Sequence, residues 1–232
     1  DGLSHVSFGA LSIAVAAGWS PLKVSIPLVV LAAFFLLRIT EHGKVKSDAA
    51  IAMISASSLA VGIIVTSLTT GMTTDVSSYM FGSILAMSRE DVILSAVLSI
   101  IVLCLFVFCY NKLFAVTFDE NFAKATGVNV ELYNVLIAVL TAVTIVLGMR
   151  MMGAMLISSL IIFPALTAMR IFKSFRGVVI CSGVLAVVCF LFGIIFSYGC
   201  STPAGASVVL VNLAAFIVFS VVQSLLMRVT KK

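Results

Sequence analysis

The 232-residue chain is 62% hydrophobic and only 10% charged, with a mean hydropathy of +1.28, which excludes an ordinary soluble domain. Its formal net charge of +5 does not indicate nucleic-acid binding, because the Lys and Arg residues fall in short segments between apolar runs. The five cysteines form no Cys-x-x-Cys motif, so neither a disulfide framework nor a thiolate metal site is indicated.

Eight apolar stretches recur along the chain, with lengths close to the roughly 20 residues that cross a bilayer. They cover 2–18, 24–39, 49–69, 92–114, 132–149, 152–169, 177–198 and 204–227. We therefore predict an all-α, polytopic membrane protein with about eight transmembrane helices in one domain over 1–232. Arg228, Lys231 and Lys232 predict a cytoplasmic C-terminus, and the segments then assigned to the outer side carry only Lys23, Arg89 and Arg150 as positive residues.

The first stretch begins with an aspartate and a histidine, Asp1 and His5, four residues apart. This spacing places both side chains on one helix face, where a carboxylate and an imidazole could hold one divalent cation. Such ligands suit zinc, manganese or iron, and ionisable groups in membrane segments generally mark a pathway. The alternative is that Asp1 lies at a helix end in water while His5 hydrogen-bonds to a carbonyl.

The next informative stretch is 49–60, where Ala52, Ala56 and Ala60 form a stripe of small residues. Such stripes let helix backbones approach closely, so we interpret this one as packing.

The segment 70–91 is too polar and too rich in glycine for a regular span. We predict a short outward-facing or re-entrant helix that lines a pathway, with Asp75 and Tyr79 among its path residues. The alternative is an ordinary outer loop with an interfacial tyrosine.

One polar segment, VTFDENFAKATGV at 116–128, is clearly amphipathic. Thr117 and Glu120 match a capping box, and Gly127 can end the helix, so a short helix is predicted over 117–127 at the cytoplasmic surface. Its apolar face would consist of Phe118, Phe122 and Ala125. Its exposed charges would be Asp119, Glu120 and Lys124. It could dock a soluble partner, or it could be a plain interfacial helix.

Pro164 lies well inside the apolar run at 153–168 and removes a backbone hydrogen bond. With hydroxyl groups of Ser158, Ser159 and Thr167 nearby, we predict a helix that is kinked or broken within about a turn of Pro164. Such helices often serve substrate paths in transporters, and Ser158, Ser159 and Pro164 are assigned to the translocation path on this basis. Proline is also simply commoner in membrane helices than in soluble ones.

Motifs of common catalytic classes are absent from the sequence. It contains no Gly-x-x-x-x-Gly-Lys-[Ser/Thr], no His-Glu-x-x-His and no Gly-x-Ser-x-Gly. ATP binding through a Walker loop is therefore excluded, and we do not expect this chain to be an enzyme.

Six ordered segments resemble the zinc and manganese permeases of bacterial ATP-binding-cassette (ABC) importers. They read DGLSHVSFGALSIA, SDAAIAMISASSLAVGI, YMFGSILAMSREDV, FDENFAKATGV, MGAMLISSLIIFPALTA and STPAGASVVL. The resemblance implies a homodimeric helical channel in the bacterial plasma membrane, served by two cytoplasmic ATPase subunits and an extracytoplasmic metal-binding protein. Such a permease contacts lipid rather than nucleic acid. It holds no permanent cofactor, because the divalent metal is its cargo.

The resemblance also assigns roles to residues. In that family the aspartate and histidine of an Asp-x-x-x-His segment contribute to the metal path, a role that falls here on Asp1 and His5. The cytoplasmic amphipathic helix is the coupling helix, which sits in a groove of the ATPase. The coupling residues implied here are Thr117, Phe118, Asp119, Glu120, Phe122, Ala123, Lys124 and Gly127.

The sequence departs from the family pattern by lacking the opening membrane helix, so we expect a fragment of a longer chain. The segment STPAGASVVL looks more like the zinc permeases, which favours zinc, although the ligand chemistry also suits manganese and iron.

Two other classes of protein compete with this interpretation. A secondary metal-ion transporter would work without an ATPase and should show internal repeats, of which the sequence gives no convincing sign. An intramembrane metalloenzyme would need a third fixed ligand and a general base, for which no residue is an obvious candidate.

Overall fold

The computed structural model describes residues 2–42, 47–69 and 88–230. Over these residues the chain forms nine α-helices and no strand. The helices are α1 Gly2–Ala16, α2 Pro21–His42, α3 Ser47–Leu68, α4 Arg89–Phe118, α5 Glu120–Ala125, α6 Val130–Met152, α7 Ala154–Ile171, α8 Phe175–Cys200 and α9 Ala204–Thr230. The prediction of an all-helical polytopic membrane protein is confirmed.

Each of the eight predicted apolar stretches coincides with one of these helices. Seven helices, α2 to α4 and α6 to α9, are long and apolar enough to cross a membrane. The helix α1 has 15 residues and extends about 22 Å, less than the roughly 30 Å of a bilayer core. The described part of the chain therefore holds seven full spans and one shorter apolar helix.

The helices divide into two compact units, of which the first contains α1 to α6. In this unit α1 packs against both α2 and α3. A buried apolar cluster joins α1, α2 and α6. Its members are Val6, Ala10, Leu22, Val29, Ala33, Ala142, Val143, Val146 and Leu147. The helix α1 is therefore at the centre of the first unit, which places its polar residues among other helices.

The contact between α1 and α3 depends on glycines. A Cβ atom on Gly9 would lie 2.8 Å from the carbonyl oxygen of Ser58, and one on Gly62 would lie 2.5 Å from the ring of Phe8. The predicted packing stripe of Ala52, Ala56 and Ala60 takes no part in this contact, because those alanines are exposed. At about 100° per residue they lie on the opposite side of α3 from Ser58 and Gly62.

The second unit contains α7, α8 and α9, which all pack against one another. A Cβ atom on Gly193 of α8 would lie 2.5 Å from the Cα atom of Val208 in α9, so these two backbones touch. The turn between them passes through Ser201, whose φ of 52° is left-handed. The Thr202 and Ser207 hydroxyl oxygens lie 2.7 Å apart and stabilise this uncharged turn.

Candidate functional site

The candidate metal ligand His5 lies in the first half of α1 and is half-buried. Its predicted partner Asp1 falls outside the described residues. Among the residues that the structure describes, no group of three or more His, Cys, Asp or Glu side chains could hold a metal ion. The metal site of Asp1 and His5 therefore stays a prediction, since the described residues do not complete a coordination shell around His5.

Two buried hydroxyl groups, one from α1 and one from α3, meet further along the same face of α1. Ser12 is seven residues, or about two turns, beyond His5, and its hydroxyl oxygen lies 3.3 Å from that of Thr66 in α3. Thr66 in turn donates to the carbonyl oxygen of Gly62, at 2.7 Å. Phe8, only 1% exposed, lies between His5 and Ser12 on this face. The sequence analysis missed Ser12 and Thr66, although the spacing from His5 could have indicated Ser12.

The predicted path residues are only partly described. Asp75 and Tyr79 lie outside the described residues. Ser158 and Ser159 lie in α7, where Ser159 is buried and its hydroxyl has no hydrogen-bond partner among the described residues. Such a hydroxyl can offer a polar contact to a ligand or to water without breaking a bond within the protein.

Pro164 does not break its helix, so of the two predicted outcomes, a kink or a break, only the kink remains. The helix α7 runs continuously from Ala154 to Ile171 with Pro164 buried inside it. Proline removes the bond to the carbonyl four residues earlier and leaves the bonds on either side intact, so the helix can continue through it. Thr167 donates to the carbonyl of Phe163, at 2.8 Å. A bend of the helix axis at Pro164 stays a prediction.

The predicted docking segment forms a sharp corner between α4 and α6. The helix α4 runs through Thr117 to Phe118, and Asp119 then ends α4 and caps α5. The Asp119 carboxylate accepts from the backbone amides of Asn121 and Phe122, at 2.9 and 3.0 Å. The predicted capping box of Thr117 and Glu120 is therefore wrong. Thr117 still belongs to α4, and aspartate is itself a preferred N-cap residue.

Glu120 has a different partner from the predicted one. One of its carboxylate oxygens accepts from the side-chain amide of Asn134 in α6, at 3.1 Å. This bond attaches the start of α5 to the second turn of α6.

The end of α5 confirms the role predicted for Gly127, which has a φ of 81°. The amide of Gly127 donates to the carbonyl of Lys124 and the amide of Val128 donates to that of Ala123, both at 3.0 Å. This pair of bonds is a Schellman motif, in which the left-handed position favours glycine.

A small core holds the corner together. Ala123 of α5 is 0% exposed and clusters with Val116 of α4 and Val130 of α6. Phe118 and Phe122, in contrast, are 82% and 63% exposed. The predicted shared face is wrong in detail, because Phe118 belongs to α4. Both rings are nevertheless exposed at the same corner, beside the exposed charges of Asp119, Glu120 and Lys124.

The corner lies at the end of a helix that is longer than the hydrocarbon core of a bilayer. The helix α4 has 30 residues and is about 45 Å long, so it exceeds the roughly 30 Å hydrocarbon core. The ammonium nitrogen of Lys112 lies 5.7 Å from the centre of the Tyr133 ring, so a cationic side chain joins α4 to α6 close to the corner.

At the ends of α4 and α6 that lie away from the corner, an ion pair joins the two helices. A guanidinium nitrogen (Nη2) of Arg150 lies 3.6 Å from a carboxylate oxygen (Oδ2) of Asp91, and their side chains are 16% and 12% exposed. Asp91 also takes part in the capping box of α4, in which its amide donates to Ser88 Oγ at 3.1 Å. Sequence analysis missed this pair because the residues are far apart in the chain. The pair explains how Arg150 is tolerated on the predicted outer side.

The chain is similar to known transport proteins in sequence and in structure. A model of the ABC 3 transport family matches residues 1–223. The chain is 27% identical to the high-affinity zinc uptake system membrane protein ZnuB of Haemophilus influenzae, over 94% of this chain and 83% of that protein. It is 30% identical to the manganese import system permease protein ScaB of Streptococcus gordonii, over 94% of this chain and 78% of that protein.

A solved structure is similar as well. It is described as PsaBC from Streptococcus pneumoniae in complex with Fab. The match has a TM-score of 0.82 and 29% sequence identity, and it covers 94% of this chain and 78% of that chain.

Proposed function

Since this chain belongs to the ABC 3 transport family and is a metal importer permease of the bacterial plasma membrane, we propose that its cargo is zinc and that separate ATPase subunits drive it. The relatives include proteins named for zinc and for manganese at similar identity, so they do not choose between the two metals. The segment STPAGASVVL favours zinc, and manganese and iron are the alternative cargoes.

The observation that carries the proposal is the corner at α5. Phe118 and Phe122 are large apolar side chains that the chain itself leaves exposed, and an exposed aromatic pair of this kind suits burial in a partner's groove. The corner is also stiff, because the Asp119 cap, the Schellman motif and the buried Ala123 fix its shape. A stiff apolar projection on the cytoplasmic side is what a soluble ATPase needs in order to push on a membrane protein.

The proposed coupling surface is named here by its residues. It comprises Thr117, Phe118, Asp119, Glu120, Phe122, Ala123, Lys124 and Gly127. Within it we assign Phe118 and Phe122 to contact with the ATPase. Ala123 and Gly127 shape the corner from within, since one is fully buried and the other holds the left-handed backbone position.

The proposed metal ligands are Asp1 and His5. The support is that an imidazole is costly among membrane helices unless it serves a path, and His5 lies on the most enclosed helix of the first unit. Two protein ligands completed by water or by other residues would bind a cation well enough to admit it and weakly enough to release it.

The other residues that we propose for the path are Asp75, Tyr79, Ser158, Ser159 and Pro164. The support among the described residues is that the hydroxyl of Ser159 is buried and has no hydrogen-bond partner there. The assembly proposed for the whole importer is a homodimer of this chain with two ATPase subunits and an extracytoplasmic metal-binding protein.

Reconstitution tests this function. The full-length permease is placed in proteoliposomes with its ATPase and metal-binding protein, and uptake of radioactive zinc and manganese is measured with ATP inside or outside. ATP-dependent uptake that stops with a catalytically dead ATPase is the expected result, with zinc taken up at lower concentration than manganese. Uptake that follows a proton gradient and ignores the dead ATPase would instead indicate a secondary transporter.

A further inference from the structure

The helix α4 is attached to the rest of the first unit mainly at its ends. Its buried residues are Asp91 and Ser95 in the first two turns and Leu113 and Val116 in the last two. The long apolar stretch between them contains no buried residue, and side chains such as Phe108 are 88% exposed. The partly buried Leu94, Leu98 and Val102 also pack against the apolar cluster, so apolar contacts hold the first half of the helix as well. The polar and buried contacts at the two ends are added to this packing.

The cytoplasmic end is fixed by the corner. Val116, Ala123 and Val130 form its core, and the Glu120 carboxylate bonds to Asn134. Any displacement of α5 must therefore move the last turn of α4 and the first turns of α6 together.

The other end is fixed by the Asp91 and Arg150 ion pair. Both side chains are largely removed from solvent, where a charge attracts its partner more strongly than it would in water. Asp91 is held in position by the Ser88 cap, and the Nε of Arg150 is buried with no hydrogen-bond partner among the described residues. The guanidinium group therefore depends on Asp91 for its compensation, and loss of either member would leave a poorly solvated charge.

We propose that the ion pair of Asp91 and Arg150 makes α4 and α6 move as one lever, so that force applied at the corner reaches the opposite membrane face. Without the pair, apolar contacts alone would hold the far end of α4, and because such contacts are non-directional, part of the force would be lost within the membrane. Asp91 and Arg150 are then positioning residues for coupling, since neither touches the cargo or the ATPase. This inference rests on the proposed role of the corner in docking the ATPase.

The test measures zinc uptake and ATP hydrolysis in the same proteoliposomes, with the full-length permease, ATPase and metal-binding protein. For Arg150→Met we expect the ratio of zinc transported to ATP hydrolysed to fall at least about fivefold, while copurification with the ATPase is retained. Asp91→Asn should lower the ratio similarly. A matched control is Arg89→Met, which removes a neighbouring exposed arginine and should leave the ratio unchanged.

A charge exchange separates coupling from simple loss of folded protein. The double variant Asp91→Arg with Arg150→Asp restores opposite charges, and the Ser88 hydroxyl can still accept from the backbone amide of residue 91. We expect it to recover a large part of the lost ratio. The conservative Arg150→Lys, which keeps the charge, should lie between wild type and Arg150→Met.

Two results would overturn the inference. One is an unchanged ratio in Arg150→Met, with uptake and hydrolysis falling together as the amount of folded complex falls. The other is a double exchange that performs no better than the single variants. If the wild-type permease itself shows no ATP-dependent uptake, the proposed function fails instead.

Discussion

The helices α1 and α4 belong to the same unit and are both strongly apolar, yet the fold uses them in opposite ways. Ten of the fifteen residues of α1 are buried, whereas only four of the thirty residues of α4 are. The buried residues of α1 include three serines and two glycines, whereas many exposed residues of α4 are Val, Ile, Leu and Phe. In a bilayer, large apolar side chains are satisfied by lipid, while small and polar ones gain from contact with other helices. Hydropathy alone would have ranked the two helices alike.

The largest expected effect tests the enclosure of α1. In Gly9→Val, the new Cβ would lie 2.8 Å from the carbonyl oxygen of Ser58, a backbone atom that cannot turn aside. We expect destabilisation by about 3 kcal/mol or more. Thermal unfolding of the purified protein in detergent measures it. Gly183→Val is the matched control, because a Cβ there meets nothing within 4 Å. Equal losses in both variants would contradict the close α1 and α3 contact.

A second effect is expected at His5, the half-buried imidazole of α1. In the full-length chain, His5→Ala should lower zinc uptake by more than about tenfold, because removing a direct ligand should cost at least what an outer-shell partner costs. Asp1→Asn should do nearly as much, since it removes the charge that offsets dehydration of the ion. Radioactive zinc and manganese uptake measures both. Copurification with the ATPase serves as the control and should be unchanged. Normal uptake of both metals would return His5 to a structural role.

A smaller effect is expected where α4 meets the corner. Phe122→Asp places a carboxylate where an apolar groove would close over it, and should weaken association with the ATPase about tenfold or more. Copurification and binding to the isolated ATPase measure the change. Asn121→Asp is the control, because it adds a negative charge to the same exposed helix without removing a ring. If both variants weaken binding equally, charge repulsion rather than the phenylalanine explains the result.

The smallest effect tests the exposed middle of α4. Phe108→Ala removes a ring that is 88% exposed and therefore makes few contacts within its own chain. The free energy of unfolding should change by no more than about 0.5 kcal/mol. The same thermal measurement used for Gly9→Val gives the comparison. A large loss would mean that this face of α4 packs against protein in the purified sample.

Local features of the fold could be predicted where local rules decide them. Gly127 ends α5 as predicted, because the left-handed position after a helix favours glycine whatever surrounds it. The N-cap of the same helix was misassigned. Thr117 and Asp119 both satisfy local rules, and which one serves depends on how far α4 extends before the corner. The core formed by Val116, Ala123 and Val130 fixes that length, and it joins three helices.

For the candidate site, the sequence indicated which residues could be functional but not which side chains they contact. The exposed charges Asp119, Glu120 and Lys124 of the corner were predicted, whereas the exposure of the Phe118 and Phe122 rings was not. The partners of Ser12 and of Glu120 were not, because Thr66 and Asn134 lie on other helices. The predicted residues Asp1, Asp75 and Tyr79 lie outside the described part of the chain and remain predictions.

The sequence by itself determined that this protein crosses a membrane as helices, because a bilayer leaves backbone amides no other partner and the apolar runs have the right length. Only the tertiary structure decided which faces of those helices meet. The stripe of Ala52, Ala56 and Ala60 was as suitable for packing as the face that carries Ser58 and Gly62, yet only the latter contacts α1. Likewise, nothing in the sequence indicated that Asp91 and Arg150 form an ion pair. Their side-chain atoms Oδ2 and Nη2 lie 3.6 Å apart only because the fold brings two distant helix ends together. The physical reason is that helix formation uses bonds within a few residues, whereas the choice of face depends on how side chains from distant segments fit together.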